Sequence, residues 1–421
     1  MKYTEVLIAG GGAAGIMAAL AASESGADVL IIEQMGQLGK KILATGNGRC
    51  NYTNYYQKAE CYRGNDPLFA WKAIQKFGQK ETVNLFKLYG ILPSDRNGYV
   101  YPLSGQALCV RDILNMQLKS AGAEIHIDEK ITGAKLYINK KTGKQDGFAV
   151  LTNKDRYFTK KLVIAMGGKA SPVHGSDGSG YKIAAGFGHS LVMPVPALTL
   201  CILDEKYTQD WAGARTNGSV KAYSQTGCLL GKDSGELQFV AQGISGIPVF
   251  QISRYISKEL SQGGKPYLII DIMPLYGKRE IVCELLNRKN NYTYCSTGDI
   301  FKGLLNNKLA AALLKKCGLS LKRPAKELAD TSIKKLAAVM KSWHMDVKST
   351  GSFDKAQVTC GGINTDEIDV HTMESKICRG LYFAGEVIDV DGICGGYNLQ
   401  WAWTSGHIAG SAAGSSVHVP V

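Results

Sequence analysis

Three glycines, Gly10, Gly12 and Gly15, separate a short apolar run at residues 5–9 from an alanine-rich run at 13–25, and a second apolar run at 28–33 ends in Glu33, eighteen residues past Gly15. Read in order, these predict a strand, a glycine turn, a helix and a second strand, which is a βαβ unit. Gly10 permits the tight turn, Gly12 lets a pyrophosphate approach the backbone at the helix N-terminus, and Gly15 lets helix and strand pack closely. Glu33 can accept hydrogen bonds from ribose hydroxyls. A lone GxGxxG is weak evidence, but here every part of the unit occurs in order, which points to a bound dinucleotide.

Residues 38–54, LGKKILATGNGRCNYTN, follow five residues later and have neither helical nor strand periodicity. Their density of glycines, amides and potential hydrogen-bonding side chains reads as a site placed to touch whatever the fingerprint holds. At the other end, LYFAGE at 381–386 is a strand running into a Gly-acid pair. Gly395 and Gly396 then precede a helix whose N-terminus would face a phosphate or the electron-rich edge of a flavin ring. That closing arrangement favours FAD over NAD.

A chain of 421 residues exceeds the usual size of one hydrophobic core, so several domains are expected. Helices are predicted at 65–89 and 105–121, a β-meander at 124–128, 136–138 and 148–152, and a buried strand at 161–166. From about residue 190 come short strands with prolines, then basic amphipathic helices from 278, and glycine-rich α/β character returns near 355. The expected division is a FAD-binding domain at 1–189 and 351–421, an inserted β-rich domain at 190–277 and an inserted basic helical subdomain at 278–350.

The eleven cysteines show no zinc-ligand spacing, and their odd number fits free thiols in a reducing compartment, so no metal site is expected. With no signal peptide and no apolar run long enough to span a bilayer, a cytoplasmic location is expected. The net charge is +13, and residues 251–350 carry 18 Lys and Arg against 8 Asp and Glu. That block is either a solvated helical face or an electrostatic footprint for an anionic partner such as RNA or an acidic small molecule.

Taken together, GGGAAG with Glu33, the loop GKKILATGNGRCNYTN, the strand end VIAMGG, the segment GSDGSGYKIAAGFGH and the ending FAGEVIDVDGICGGYNLQWAWTSG make the chain similar to the YhiN/BaiN-like family of FAD-dependent oxidoreductases. The resemblance covers almost the whole chain and is weakest in the inserted block. It implies an α/β fold: a Rossmann-like FAD-binding domain of parallel sheet plus β-meander, with an inserted β-rich and helical capping domain. It places Gly10, Gly12, Ala13, Ala14 and Gly15 on the FAD pyrophosphate, Glu33 and Gln34 at the adenosine ribose, and Lys40 and Lys41 near the phosphates. Thr45, Gly46, Asn47, Gly48, Arg49, Cys50 and Asn51 would wrap the flavin, and Ile131 would offer backbone contacts to adenine. Ala165 and Gly167 at the strand end, Gly385 with Glu386, and Gly395, Gly396, Tyr397, Asn398 and Leu399 complete the expected cofactor contacts. Met166 and Cys394 stand where related flavoproteins have threonine.

Activities associated with the family include reduction of 3-oxo unsaturated bile-acid intermediates, an aminoacetone oxidase activity and synthesis of dihydrouridine in ribosomal RNA. The first expectation is hydride transfer from reduced flavin to a conjugated C=C bond of a 3-oxo-Δ4/Δ6 bile acid, with NAD(P)H as electron source and transient co-substrate. Alternatives are an RNA-directed flavoenzyme using the basic region, and a non-catalytic or redox-sensing FAD-binding protein. Cys50 is the leading proton-donor candidate because an ordinary thiol stays protonated at neutral pH; the competing reading is a small residue packed under the ring. Arg49 would polarise a carbonyl or pair with a flavin phosphate, and Tyr397 would line the substrate side. His174 to Gly180, HGSDGSG, would either cap the helix that follows through Ser176 or Asp177 or shape the substrate entrance.

Overall fold

A computed structural model describes residues 2–139, 143, 145–292 and 294–417. They form two compact units, one from Met1–Pro194 with Val358–Val421 and one from Val195–Gln357.

The first unit is built on a seven-stranded sheet: β1 (Lys2–Ala9), β2 (Val29–Ile32), β3 (Glu124–His126), β4 (Ile131–Ile138), β5 (Gln145–Thr152), β6 (Arg156–Ile164) and β7 (Leu381–Phe383). The order is β3-β2-β1-β6-β5-β4, with β7 also on β6. β1 runs parallel to β2 and β6, and Val6, Leu7 and Ile8 are wholly buried because helices cover the parallel part. Along one edge β6 pairs antiparallel with β5 through Thr159↔Phe148, then parallel with β7 through Leu162↔Leu381. The chain thus returns from its far end to complete the sheet begun by its first residues.

Two details differ from the sequence reading. Residues 124–126 pair parallel with β2, so the meander is β4-β5-β6. The helix expected at 65–89 is two, Phe69–Ile74 and Gln79–Leu88, broken at Gly78, where a Cβ would meet the Ile74 carbonyl oxygen at 2.8 Å.

The first helix, Ala13–Glu24, and the last, Tyr397–Ser415, lie in backbone contact. Gly406, Gly410 and Gly414 recur every fourth residue, and a Cβ on them would sit 2.4, 2.1 and 2.8 Å from the carbonyl oxygens of Ala14, Ala18 and Ala22. Small residues on both helices let the axes approach this closely, and the approach fixes the two helix N-termini relative to each other.

In the second unit, six strands close an antiparallel barrel: Cys201–Leu203, Arg215–Tyr223, Leu229–Val240, Gly243–Ser245, Tyr267–Asp271 and Trp343–Thr350. Helices Lys278–Asn291, Asn307–Lys316 and Asp330–Lys341 are inserted between the last two strands. The helical stretch expected at 278–350 therefore ends at Lys341, since Trp343–Thr350 is a barrel strand. One core joins the two parts: Trp211, Phe239 and Trp343 from the barrel side pack in a continuous cluster with Leu285, Leu313 and Leu336 from the helices.

Candidate functional site

At the C-terminal end of β1 the backbone turns through Gly10, whose φ is +103. A Cβ there would lie 2.6 Å from the Ala165 carbonyl oxygen, so conformation and contact together exclude any larger residue. A Cβ on Gly15 would lie 1.8 Å from the Gly10 carbonyl oxygen, so this glycine serves packing. Gly12 is different: its Cβ direction meets nothing within 4 Å, and it stands at the start of the first helix, which has no side-chain cap. The last helix likewise starts without a side-chain cap, at Gly396 with φ +94. Two helix N-termini whose N–H groups take no side-chain cap thus open beside glycine backbone, which suits anionic or electron-rich groups.

Glu33 lies at the end of β2 as expected. Its Oε2 accepts from the Gly11 N–H at 2.6 Å and its Oε1 from the Met35 N–H at 2.8 Å. Burial raises its pKa, opposed by those N–H groups and by Lys40. Gln34 Nε2 donates to the Gly175 carbonyl at 2.5 Å, bringing the HGSDGSG turn against the acid end of β2. Asp177 Oδ1 accepts from the Ser179 N–H in a local turn just ahead of helix Ser179–Gly186, whose N-cap residue is Gly178 and has no side-chain cap. Ile131, buried at the start of β4, is two residues past Glu129, whose N–H bonds the Glu33 carbonyl.

Residues 38–54 contain a short helix, Lys40–Ala44, then a turn with Asn47 and Cys50 at positive φ, and a strand, Thr53–Asn54. Asn47, Gly48 and Arg49 are exposed or half-buried, as are Thr45 and Gly46. Lys41 Nζ pairs with Glu386 Oε2 at 2.8 Å and donates to the Ala170 carbonyl at 3.3 Å. Glu386 Oε1 accepts from the Thr359 N–H at 2.8 Å, and Gly385 is held by Ser405 Oγ and Trp401 Nε1. Asn54 Nδ2 donates to the Gly395 carbonyl, and Asn398 grips both the N–H and the carbonyl of Gly392. The structure therefore brings the loop and the closing glycines together across more than 300 residues of chain, beside the fingerprint.

The structure buries both catalytic candidates. Cys50 is 0% exposed, and burial pushes its thiol up to about 12 despite the Thr45 side chain. Tyr397 is 3% exposed, its ring packs edge-on to Tyr62, and burial raises its hydroxyl pKa beside Cys61. Only the backbone of Tyr397 belongs to the helix start. Sequence reading missed Tyr99 and Tyr101. Their strand, Tyr99–Pro102, pairs with Thr53–Asn54, which sets the Tyr99 ring 2.8 Å from a Cβ position on Gly395 and that of Tyr101 3.2 Å from one on Gly46. Their alternation, YVY, was the available signal.

Half-buried backbone at Gly10, Gly12, Gly167 and Gly395, two helix starts without side-chain caps and cations at one flank fit an anionic dinucleotide such as FAD. Among the described residues, no group of three or more His, Cys, Asp or Glu could hold a metal ion, and no helix is long and apolar enough to cross a membrane.

The family model described as HI0933-like protein Rossmann domain matches residues 4–412. The chain belongs to this family. It is 41% identical over 408 residues to the 3-dehydro-bile acid delta(4,6)-reductase of Clostridium scindens, covering 96% of this chain and 98% of that one. It is 30% identical to the ribosomal RNA dihydrouridine synthase of Escherichia coli, covering 96% of each. Among solved structures, an open-conformation flavocytochrome c3 fumarate reductase aligns with a TM-score of 0.49 at 17% identity, over 99% of this chain and 79% of that one. The protein is an FAD-dependent oxidoreductase with a Rossmann-like cofactor domain, which sets aside a non-catalytic role.

Proposed function

We propose that the enzyme reduces a carbon–carbon double bond conjugated to a carbonyl, with a 3-oxo-Δ4/Δ6 bile acid as substrate and NAD(P)H as electron source. The observation that carries the substrate class is the 41% identity to the bile-acid reductase over nearly the full length of both chains, against 30% for the RNA enzyme. Bound FAD, once reduced, supplies the hydride. The β-carbon of the substrate accepts that hydride, the carbonyl oxygen carries the charge, and the α-carbon takes a proton from the protein.

This chain's residues would orient the reactants and deliver that proton. The Lys41–Glu386 pair and the Gly395–Gly396 turn would hold the cofactor's ring end in place. Burial leaves the thiol of Cys50 without exposed surface and raises its pKa, which makes it a poor source of that proton. Tyr99, 36% exposed with its ring edge at Gly395, takes that role in our reading.

The test is anaerobic: reduce the flavin with NADH or NADPH, add a 3-oxo-Δ4 bile acid, and follow flavin absorbance. Rapid reoxidation is expected. Tyr99→Phe should slow reoxidation by roughly 10²-fold or more, the usual weight of a general acid, while Cys50→Ala stays within a few-fold of wild type. Absence of reoxidation by the bile acid sinks the substrate assignment.

A second reading, reduction of uridine in ribosomal RNA, draws on the RNA-enzyme relatives and the basic block. Part of that charge is paired locally: Lys289 with Asp330, Lys315 with Asp210, Lys316 with Glu205 and Lys341 with Asp271. Reoxidation by precursor ribosomal RNA, with binding that weakens steeply as salt rises, would favour this reading over the first.

A further inference from the structure

A rod of polar side chains crosses the apolar interior behind the flavin loop. Thr53 Oγ1 donates to Gln400 Oε1 at 2.5 Å, Gln400 Nε2 donates to Thr82 Oγ1 at 2.9 Å and to Thr404 Oγ1 at 3.0 Å, and Thr404 Oγ1 donates to the Phe77 carbonyl at 2.6 Å. All four side chains are buried and each is 0% exposed. The directions follow from proton counting. Thr404 spends its one hydrogen on the Phe77 carbonyl, so it can only accept from Gln400, and the amide must turn its nitrogen that way. The amide oxygen then faces Thr53, whose hydroxyl must donate.

This rod ends where two walls of the ring site meet. A Cβ at Gly396 would lie 2.6 Å from the Thr53 carbonyl oxygen, Asn54 bonds the Gly395 carbonyl, and Trp403 Nε1 donates to the Tyr52 carbonyl at 3.0 Å. A shift of Thr53 is therefore transmitted directly to the Gly395–Gly396 turn and to the open N–H groups at the start of the last helix.

We infer that Thr53 and Gln400 form a positioning pair that sets the spacing between the 45–51 loop and the 395–399 turn, and through it the affinity and redox poise of the bound flavin. The inference rests on FAD occupying this cleft. Neither side chain reaches the cofactor from its buried position; the pair acts through the backbone between the two residues.

The test measures FAD dissociation constants on deflavinated protein, the midpoint potential of the reconstituted flavin, and the thermal midpoint of the FAD-free form. Thr53→Val keeps the shape and removes the donor, leaving a buried acceptor unpaired. It should raise the FAD dissociation constant by about tenfold and shift the flavin potential, with Thr53→Ser restoring both. If Thr53→Val does not fold, Thr82→Val, which removes the far partner of Gln400 outside the cleft, should move the same two readouts in the same direction. A lowered thermal midpoint with unchanged affinity and potential would make the rod merely structural and overturn the inference. Gly12→Ala separates the two assumptions: if it leaves FAD affinity intact, the cleft assignment itself has failed.

Discussion

Gly12 and Gly15 stand three residues apart in one turn and do different work. A side chain at Gly15 collides with the Gly10 carbonyl oxygen, whereas one at Gly12 enters open space at the helix start. Gly15→Ala should therefore lower the thermal midpoint of the FAD-free protein, by a stability cost of about 1–3 kcal/mol for overpacking. Gly12→Ala should leave that midpoint nearly unchanged and weaken FAD binding by an order of magnitude or more, because its methyl would enter the open space we propose for a phosphate; calorimetric titration of both variants checks the contrast. The sequence foretold the packing role of Gly15, since a GxGxxG turn is a local backbone geometry. It could not foretell Cys50. Position in a polar loop suggested access to the flavin, but Cys50, in the αL conformation with φ +58, is 0% exposed and belongs to the apolar core of the first unit.

At the scale of elements, the contact between the first and last helices decides the geometry of the site. Alanine-rich composition predicted a helix at 13–25 and the chain's end predicted another, but the purpose of Gly406, Gly410 and Gly414 emerges only when Ala14, Ala18 and Ala22 lie against them. Gly410→Ala should be the most damaging of the three, since its Cβ would come 2.1 Å from a backbone oxygen that cannot rotate away. We expect a loss of about 1–3 kcal/mol in denaturant unfolding, with Gly414→Ala milder. Because the same packing holds both helix N-termini, Gly410→Ala should also weaken FAD binding, which a fluorescence titration reads independently of stability.

At the scale of the whole molecule, titration couples stability to pH. Burial pushes the pKa of His189 down against the opposing pull of Glu367, whose Oε2 lies 3.0 Å from Nδ1, while Nε2 lies 2.7 Å from Ser375 Oγ. Burial also lowers His407, stacked on Phe77. Unfolded histidine titrates near 6.5, so between the depressed folded values and about pH 6.5 the unfolded chain binds more protons. Stability is complete above that window and falls as pH drops through it. The thermal midpoint of the FAD-free protein should be lower at about pH 5.5 than at pH 7.5, and His189→Gln should flatten the slope; an unchanged slope would show that His189 does not contribute. What the sequence determined by itself is what depends on neighbours along the chain: the βαβ unit with its glycine turn, the acid that ends β2, the glycines before the last helix, and from these an FAD enzyme. Tertiary structure alone decided the pairing of Lys41 with Glu386 across 345 residues, the enclosure of Cys50 and Tyr397, the approach of Tyr99 to Gly395, the closing of the barrel by Trp343–Thr350, and the rod from Thr53 to Phe77. The physical reason is that periodicity and turn chemistry act within a few residues, whereas burial, ion pairing and the direction of a hydrogen bond are fixed by whatever distant segment folds against them.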